Sequence, residues 1–376
     1  MTYTPLQDAL RVQLENQTRP ARESDYRGAI TTARFVDPRQ EFSALLSGCG
    51  IYDLGFRARI SLTGGDRVRW LNGMVTNNIR DLAAGRGVYA FLLNPQGRIL
   101  GDMFVYNVGE TLVVETDRSQ AEKIVATFDH YIIMDDVAVT DISPKQTSLG
   151  VAGPKARAIL NATGIEVPEM QALQMITPRG DCECGCVECT VVRGEDAQPE
   201  SYEIWLAPKD VYPTWQALLA AGATAVGSEA LEMQRIAAGI PLYGVDIRER
   251  DLPQETEQMR ALNFSKGCYV GQEIVERIRS RGNVHRKFTG FLLEGTAAIA
   301  AGAKIASGEK EVGEITSVAV LCTPSGERTL ALGYIRREVG EPGREVMIGA
   351  VKTTVVQLPL DGAVLGQAEA ILSHQA

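Results

Sequence analysis

One thiol in this chain stands beside a lysine and between two glycines, in the run Lys266-Gly267-Cys268-Tyr269-Val270-Gly271-Gln272-Glu273. A helix is predicted directly after it, from about Gly271 to Ser280, with Ile274, Val275 and Ile278 on its apolar side and Gly282 as its stop signal. Cys268 then lies near the amino end of that helix. Unpaired N–H groups there, together with the charge of Lys266, favour thiolate over thiol. Gly267 and Gly271 take away side-chain bulk on either side of the sulfur, so a ligand can approach closely. The alternative for any single cysteine is a small apolar core residue. The neighbours of Cys268 point instead to a reactive, reachable thiol.

A second concentration of sulfur, Cys182-Glu183-Cys184-Gly185-Cys186-Val187-Glu188-Cys189, sets four thiols within eight residues. Thiolates suit zinc, copper(I) or iron–sulfur units. This spacing lacks the separated pairs of common zinc sites, and in an extended strand Cys182, Cys184 and Cys186 point one way while Cys189 points the other. An edge strand with incidental cysteines is therefore expected, and no metal site is assigned. The three histidines, His130 and His285 among them, are scattered and form no ligand set.

The elements that position such groups follow from length and pattern. A chain of 376 residues exceeds one comfortable core, so two or three domains are expected. With 45% apolar and 23% charged residues the composition is that of an ordinary soluble protein, and a net charge of −9 disfavours an extended nucleic-acid interface. Met1–Arg19 is polar and no run of about eighteen apolar residues occurs, which excludes an evident signal or spanning helix and makes the cytoplasm the expected location. Seven cysteines, an odd number, argue for reduced thiols.

Periodicity predicts strands at Ala58–Thr63, Val88–Leu93, Ile99–Val108, Thr111–Thr116 and Val137–Ile142, with helices at Asp66–Asn72 and Ser119–Phe128. A similar α+β run follows: strand Thr147–Ala152, helix Pro154–Ala162, strands near Cys189–Arg193 and Tyr202–Ala207, and helices Val211–Ala221 and Ser228–Ala238. Gly64 precedes Leu71 and Asn72 at the same offsets at which Gly153 precedes Leu160 and Asn161, which suggests a duplication. From Arg286 onward, short β-rich runs closely punctuated by Gly and Pro predict a small barrel.

At the octapeptide the chain resembles the YgfZ-type folate-binding proteins, which aid iron–sulfur cluster maturation and are cousins of the glycine-cleavage T-protein. The pattern K-G-C-Y-x-G-Q-E is met at every position. The likeness continues through Ile274-Val275-Glu276-Arg277 and Arg281-Gly282-Asn283-Val284-His285-Arg286. Upstream, Arg235-Ile236-Ala237-Ala238-Gly239-Ile240-Pro241-Leu242-Tyr243-Gly244 is similar to a T-protein segment. The likeness covers roughly residues 40 to 360.

It implies an α+β fold: two ferredoxin-like sub-domains that form a folate-binding cleft, then a C-terminal small antiparallel β-barrel. The expected boundaries are 1–284 for the folate-binding region, with 48–143 inserted between 1–47 and 144–284, and 285–376 for the barrel. It further implies tetrahydrofolate as cofactor. Glu203, in Ser201-Tyr202-Glu203-Ile204-Trp205, matches the glutamate that reads the pterin, and Arg235 matches a folate-contacting arginine; Asp102 and Tyr269 complete the expected binding set. A fixed carboxylate and a planar guanidinium fork suit a pterin edge, while an exposed glutamate salt-bridged to Arg235 is the plain alternative.

The resemblance implies that the T-protein's catalytic aspartate comes from an acidic pair on a strand. Here Gly97-Arg98-Ile99-Leu100-Gly101-Asp102-Met103 keeps only the second acid. If the first acid does the chemistry, Gly101 has replaced it and aminomethyl transfer is not expected; Asp102 then binds folate, acts as a general base or caps a turn, and the local sequence does not choose. The expected catalytic set is Cys268, Lys266 and Asp102. The expected role is assistance to iron–sulfur client or scaffold proteins through Cys268, with folate-dependent aminomethyl transfer as the alternative.

Overall fold

The computed structural model of the chain describes residues 2–14, 22–178, 188–195, 200–282, 284–323 and 326–365. Cys182, Cys184 and Cys186 lie outside the described residues. By internal contacts the chain divides into two units. The first holds Met1–Leu92, Gly101–Leu231 and Ser265–Tyr269; the second holds Leu93–Leu100, Glu232–Phe264 and Val270–Ala376.

Strands Arg57–Thr63, Ile99–Asn107, Leu112–Asp117 and Ala138–Asp141 and helices Arg67–Met74 and Arg118–Tyr131, all in the first unit save for Ile99 and Leu100, alternate as strand-helix-strand-strand-helix-strand. In the sheet the first strand lies between the third and the fourth, and the second lies outside the third; Arg86–Leu93 adds a fifth strand beyond the second. This is the ferredoxin-like order. Thr147–Ala152, Ala156–Ala162, Thr190–Arg193, Ser201–Leu206, Val211–Ala220 and Thr224–Val226 repeat it, with one change. Strand Gly50–Asp53 is inserted between the first and fourth strands of that repeat, antiparallel to Thr147–Ala152 and parallel to Thr224–Val226.

The duplicated sequence pattern has a physical counterpart. Gly64 and Gly153 both take positive φ, +102° and +124°, where a side chain is strained. A Cβ there would lie 2.2 Å from the Asp136 carbonyl oxygen and 2.5 Å from that of Gly48, respectively. Each glycine ends a strand, and a helix begins three residues later. Asn72 Oδ1 then accepts the Ile79 N–H at 3.0 Å, as Asn161 Oδ1 accepts that of Val167 at 2.7 Å, each tying the chain after the helix back to it.

Residues that alternate along the strands sort by face. Leu149, Val151, Val191, Ile204 and Leu206 pack with Leu160, Trp215 and Leu218 on the helix side of the second sheet. Tyr106 and Val113 of the first sheet pack with Val192 and Trp205 of the second. The two sheets of this unit therefore meet through a shared layer. The polar N-terminal stretch, in which no element is expected, contributes helix Pro5–Leu14 and a strand of a three-stranded sheet made of Thr2–Tyr3, Ala29–Arg34 and Arg22–Tyr26.

The second unit contains a closed antiparallel barrel, as expected. Its strands follow the order Arg286–Glu294, Gly326–Arg336, Lys310–Thr323, Lys304–Ser307, Glu345–Ile348 and Val351–Val356, and the last pairs with the first. Phe291, Ile305, Ile315, Ile335 and Val355 fill it. Among the described residues no helix is long and apolar enough to cross a membrane.

Candidate functional site

Charged residues occupy alternate positions on the strands of the first sheet, and strand register places them on one face. Arg57 pairs with Asp117, and Arg59 with Glu115, which in turn pairs with Phe104. Phe104 shares its side of the strand with Asp102 and Tyr106 by period two. From the other sheet, Trp205 meets Tyr106 edge-on at 5.1 Å, and Glu203 lies two residues before it on the same face. The layer between the sheets thus holds Asp102 and Glu203 together with two arginines and two further acids.

Asp102 is half-buried. Its Oδ2 accepts the Tyr89 hydroxyl at 2.7 Å and its Oδ1 the Gln120 amide at 2.8 Å. Burial raises its proton affinity above the ordinary aspartate range, and the charge of Asp117 adds to this; the two hydrogen bonds and Arg57 oppose it. Gly101 faces the other way. A Cβ built there points at Gln120 and Ile124 of helix Arg118–Tyr131, 3.2 and 3.4 Å away. A carboxylate at 101 would enter the helix-packed side. Only position 102 directs an acid into the layer, so the glycine at 101 takes no carboxylate from it.

Glu203 is 23% exposed at its side chain. Its Oε2 accepts the Trp205 indole N–H at 3.0 Å. Arg59 Nη2 stands 3.7 Å from the same oxygen. Burial, and next the charge of Glu115, push the Glu203 carboxyl up to about 7; Arg59, Arg57 and the indole hydrogen bond pull against this. Arg57 acts on both Asp102 and Glu203, so the two carboxyls share one electrostatic environment.

Lys266 is 9% exposed, and its Nζ donates to the carbonyls of Asn72 at 2.6 Å, Val75 at 2.6 Å and Asn77 at 2.5 Å. Asn72 lies in the last turn of helix Arg67–Met74, Val75 is its C-cap, and Asn77 belongs to the chain that follows. Burial and the nearby Arg80 charge push the ammonium down to about 7, while the three carbonyls hold its protons in place. The expected charge beside the thiol is thus spent on capping a helix. Replacing Lys266 with Met leaves these carbonyls without their donor, at about 1–3 kcal/mol for each that stays dry. Urea unfolding is expected to register a loss of at least about 2 kcal/mol. Tyr269 is buried beneath the same group, its ring 5.1 Å from Nζ.

Cys268 is exposed, whereas Cys49 and Cys189 are buried and Cys322 is intermediate. It belongs to the first unit, while the following helix, Gln272–Arg281, belongs to the second. Gly271 does not make room for a ligand. Its missing Cβ leaves space for the Asn94 carbonyl, 2.6 Å from where that carbon would lie. Among the described residues no cluster of His, Cys, Asp and Glu suits a metal ion.

Arg235, expected at the folate, lies in the second unit and is 5% exposed. Its Nε and Nη2 donate to Glu232, its Nη1 to the Ile240 carbonyl at 2.7 Å and Asp246 Oδ2 at 2.6 Å, and its Nη2 also to Ser317 Oγ at 2.9 Å. All five N–H groups are engaged, which leaves no donor for a ligand. The glutamate it pairs with is Glu232, so the plain alternative of a Glu203 partner is also replaced.

Sequence reasoning missed Tyr89 and Gln120, which hold Asp102, and the Arg57, Arg59, Glu115 and Asp117 set. A signal for the latter was present. Arg57-x-Arg59 and Glu115-x-Asp117 place charges at period two among Ala58, Ile60, Val114 and Thr116, a pattern that marks one polar strand face.

A duplicated ferredoxin-like α+β region followed by a closed barrel, with carboxylates lining the layer between the duplicated sheets, defines the class of protein. The family model described as the GCVT N-terminal domain matches residues 9–266, and that of the glycine cleavage T-protein C-terminal barrel domain matches 286–361. The chain belongs to the glycine cleavage T-protein family. It is 28% identical to an aminomethyltransferase of Rubrobacter xylanophilus over 349 residues, covering 92% of each chain. Over 355 residues it is 28% identical to one from Cutibacterium acnes, covering 89% of this chain and 93% of that one. Its fold is similar to that of the glycine cleavage system aminomethyltransferase T of Bartonella henselae, with a TM-score of 0.82 and 21% identity over 97% of this chain and 99% of that one.

Proposed function

We propose that this chain is a folate-dependent one-carbon transferase of the aminomethyltransferase type. The observation that carries the reading is the direction of Asp102, the acid kept from the pair, which faces the layer where Glu203 also lies. The curated relatives above, which carry the aminomethyltransferase name over nine-tenths of the chain, support it.

The residues fit a pterin and a reacting amine. Glu203 is partly open, and its Oε1 accepts no hydrogen bond among the described residues, so it has acceptor capacity for an N–H edge. When bound, tetrahydrofolate supplies the amine nitrogen that takes up the carbon unit. Asp102, held at both oxygens by neutral donors, keeps lone pairs to receive a proton or to steady positive charge on the reacting nitrogen. Tyr89 and Gln120 fix its plane. Tyr269 and Lys266 order the chain that leads to Cys268 and support the site from a distance.

Ionised Glu203 offers both oxygens and a full charge to N–H donors, whereas the protonated form turns one oxygen into a donor that meets them head-on; its ionisation is displaced up to about 7. Tetrahydrofolate affinity is therefore expected to rise about tenfold per pH unit from 5 toward 7 and then level off, with release of one proton on binding. Isothermal titration in buffers of differing ionisation enthalpy measures that proton, and Glu203→Gln removes it. The sign for stability is opposite. A carboxyl raised in the folded state stabilises below the unfolded value and loses that contribution as pH rises through about 7.

A second reading is favoured by one observation, the exposure of Cys268 within the octapeptide shared with the YgfZ branch. On that reading the protein binds tetrahydrofolate and assists iron–sulfur client or scaffold proteins through the thiol. Cys268→Ser separates the two. Transferase chemistry at Asp102 is expected to keep full turnover in this variant, whereas the maturation role predicts lost iron–sulfur enzyme activity in a deletion strain carrying it. We also read 1–284, with 48–143 inserted, as the folate-binding part and 285–376 as the barrel part.

A further inference from the structure

Behind Glu203 runs a line of alternating charges that neither function reading uses. Arg59 is fully buried, with its guanidinium 4.2 Å over the Trp205 ring, the same ring whose N–H holds Glu203. Its Nη2 stands 3.7 Å from Glu203 and donates to Glu115 Oε1 at 2.8 Å and Ser148 Oγ at 2.9 Å. Glu115 is also fully buried, and Arg57 Nε stands 3.6 Å beyond it before Arg57 Nη1 reaches Asp117 at 2.5 Å. Three buried atoms of the central pair, Arg59 Nε, Arg59 Nη1 and Glu115 Oε2, have no hydrogen-bond partner among the described residues. Such an arrangement is expensive for a merely structural contact, since each unpaired charged atom keeps its desolvation cost. Its field, little consumed by hydrogen bonds and set in a medium of low polarity, acts strongly on the next charge in line.

We propose that Arg59 and Glu115 are positioning residues that set the charge state and direction of Glu203, the guanidinium drawing its carboxylate inward and Glu115 opposing that pull. The inference rests on the reading that Glu203 contacts folate, and it deepens that reading by naming what tunes the contact. Glu203 meets other charged or titratable groups as well: Arg57 on the strand of Arg59, Tyr52 on the inserted strand and Tyr106 on the strand of Asp102. These stay in place in the variants below. The pair is distinctive because its two members act on Glu203 with opposite signs.

Opposite signs give the test. Glu115→Gln keeps the acceptor for Arg59 and removes the repelling charge, so the ionisation midpoint of Glu203 moves down by about one pH unit or more. Arg59→Met removes the attraction and moves the midpoint up by a similar amount. The midpoint is read by carbon NMR on glutamate-labelled, ligand-free protein, with the Glu203 signal assigned by its absence in Glu203→Gln. Tetrahydrofolate binding against pH, under anaerobic reducing conditions, is measured on the same proteins. Shifts of opposite sign, mirrored in the binding profiles, support the proposal. Unmoved midpoints, with only lower melting temperatures, overturn it and leave the pair a structural contact. If Arg59→Met does not fold, because Glu115 is then buried alone, Glu115→Gln decides by itself. Opposite NMR shifts in the two variants, beside a wild type that binds no tetrahydrofolate, would keep the tuning of Glu203 and overturn the folate reading alone.

Discussion

Replacing Asp102 with asparagine is expected to lower one-carbon transfer by about 10²–10⁴-fold while leaving tetrahydrofolate affinity within a few-fold of the wild type. The side chain keeps its size, and the amide oxygen still accepts the Tyr89 hydroxyl or the Gln120 amide. What is lost is the lone pair that takes a proton and the negative charge facing the reacting nitrogen. Stopped-flow measurement of product formation separates this from a folding defect, because a loss confined to turnover leaves binding and the melting temperature in place. An equal fall in affinity would instead make Asp102 a binding residue.

A comparably large effect, on stability rather than rate, is expected at Arg235. Its substitution by methionine removes the cation from Asp246, a fully buried carboxylate that also receives Ser317 Oγ at 2.7 Å and the hydroxyl of Thr316 at 2.5 Å. Breaking one side of a buried ion pair typically costs about 3–5 kcal/mol, because the remaining charge is neither solvated nor paired. Arg235→Lys is expected to recover only part of this loss, since an ammonium cannot span Glu232, Asp246 and Ser317 as the planar fork does. Denaturant unfolding followed by a probe in the barrel-bearing unit measures both variants. A ligand-binding arginine would behave differently, losing affinity with little loss of stability.

Arg235 and Lys266 show where the sequence ran out. Each was legible as a cation in a suggestive segment, yet partners that take its donors come from residues remote in the chain: Ser317 for the first, beside the nearby Glu232, Ile240 and Asp246, and the carbonyls of Asn72, Val75 and Asn77 for the second. The i,i+3 spacing of Glu232 and Arg235 announces one contact, and nothing local announces the others. Asp102 posed a different difficulty. Choosing between the two positions of the acidic pair requires knowing which strand face the helix covers, and that is plain only from Ile124 on the Gly101 side, since Gln120 reaches both residues.

Where periodicity was strong, the reading was sound. The strand-glycine-helix unit was legible twice over because a positive-φ turn admits few residues other than glycine, and the spacing to Asn72 and Asn161 follows from the helix length. The inserted strand Gly50–Asp53 and the N-terminal helix Pro5–Leu14 were not foreseen. The strand has only four residues, and the helix belongs to a stretch whose polar composition hid the buried Leu6.

The most direct test of the proposed function is an assay of methylenetetrahydrofolate formed by the purified protein from an aminomethyl donor and tetrahydrofolate. Multiple turnovers are expected in the wild type and in Cys268→Ser, and their loss in Asp102→Asn. A wild type that binds tetrahydrofolate and forms no product, in cells whose iron–sulfur enzymes fail when Cys268 is replaced, would contradict it.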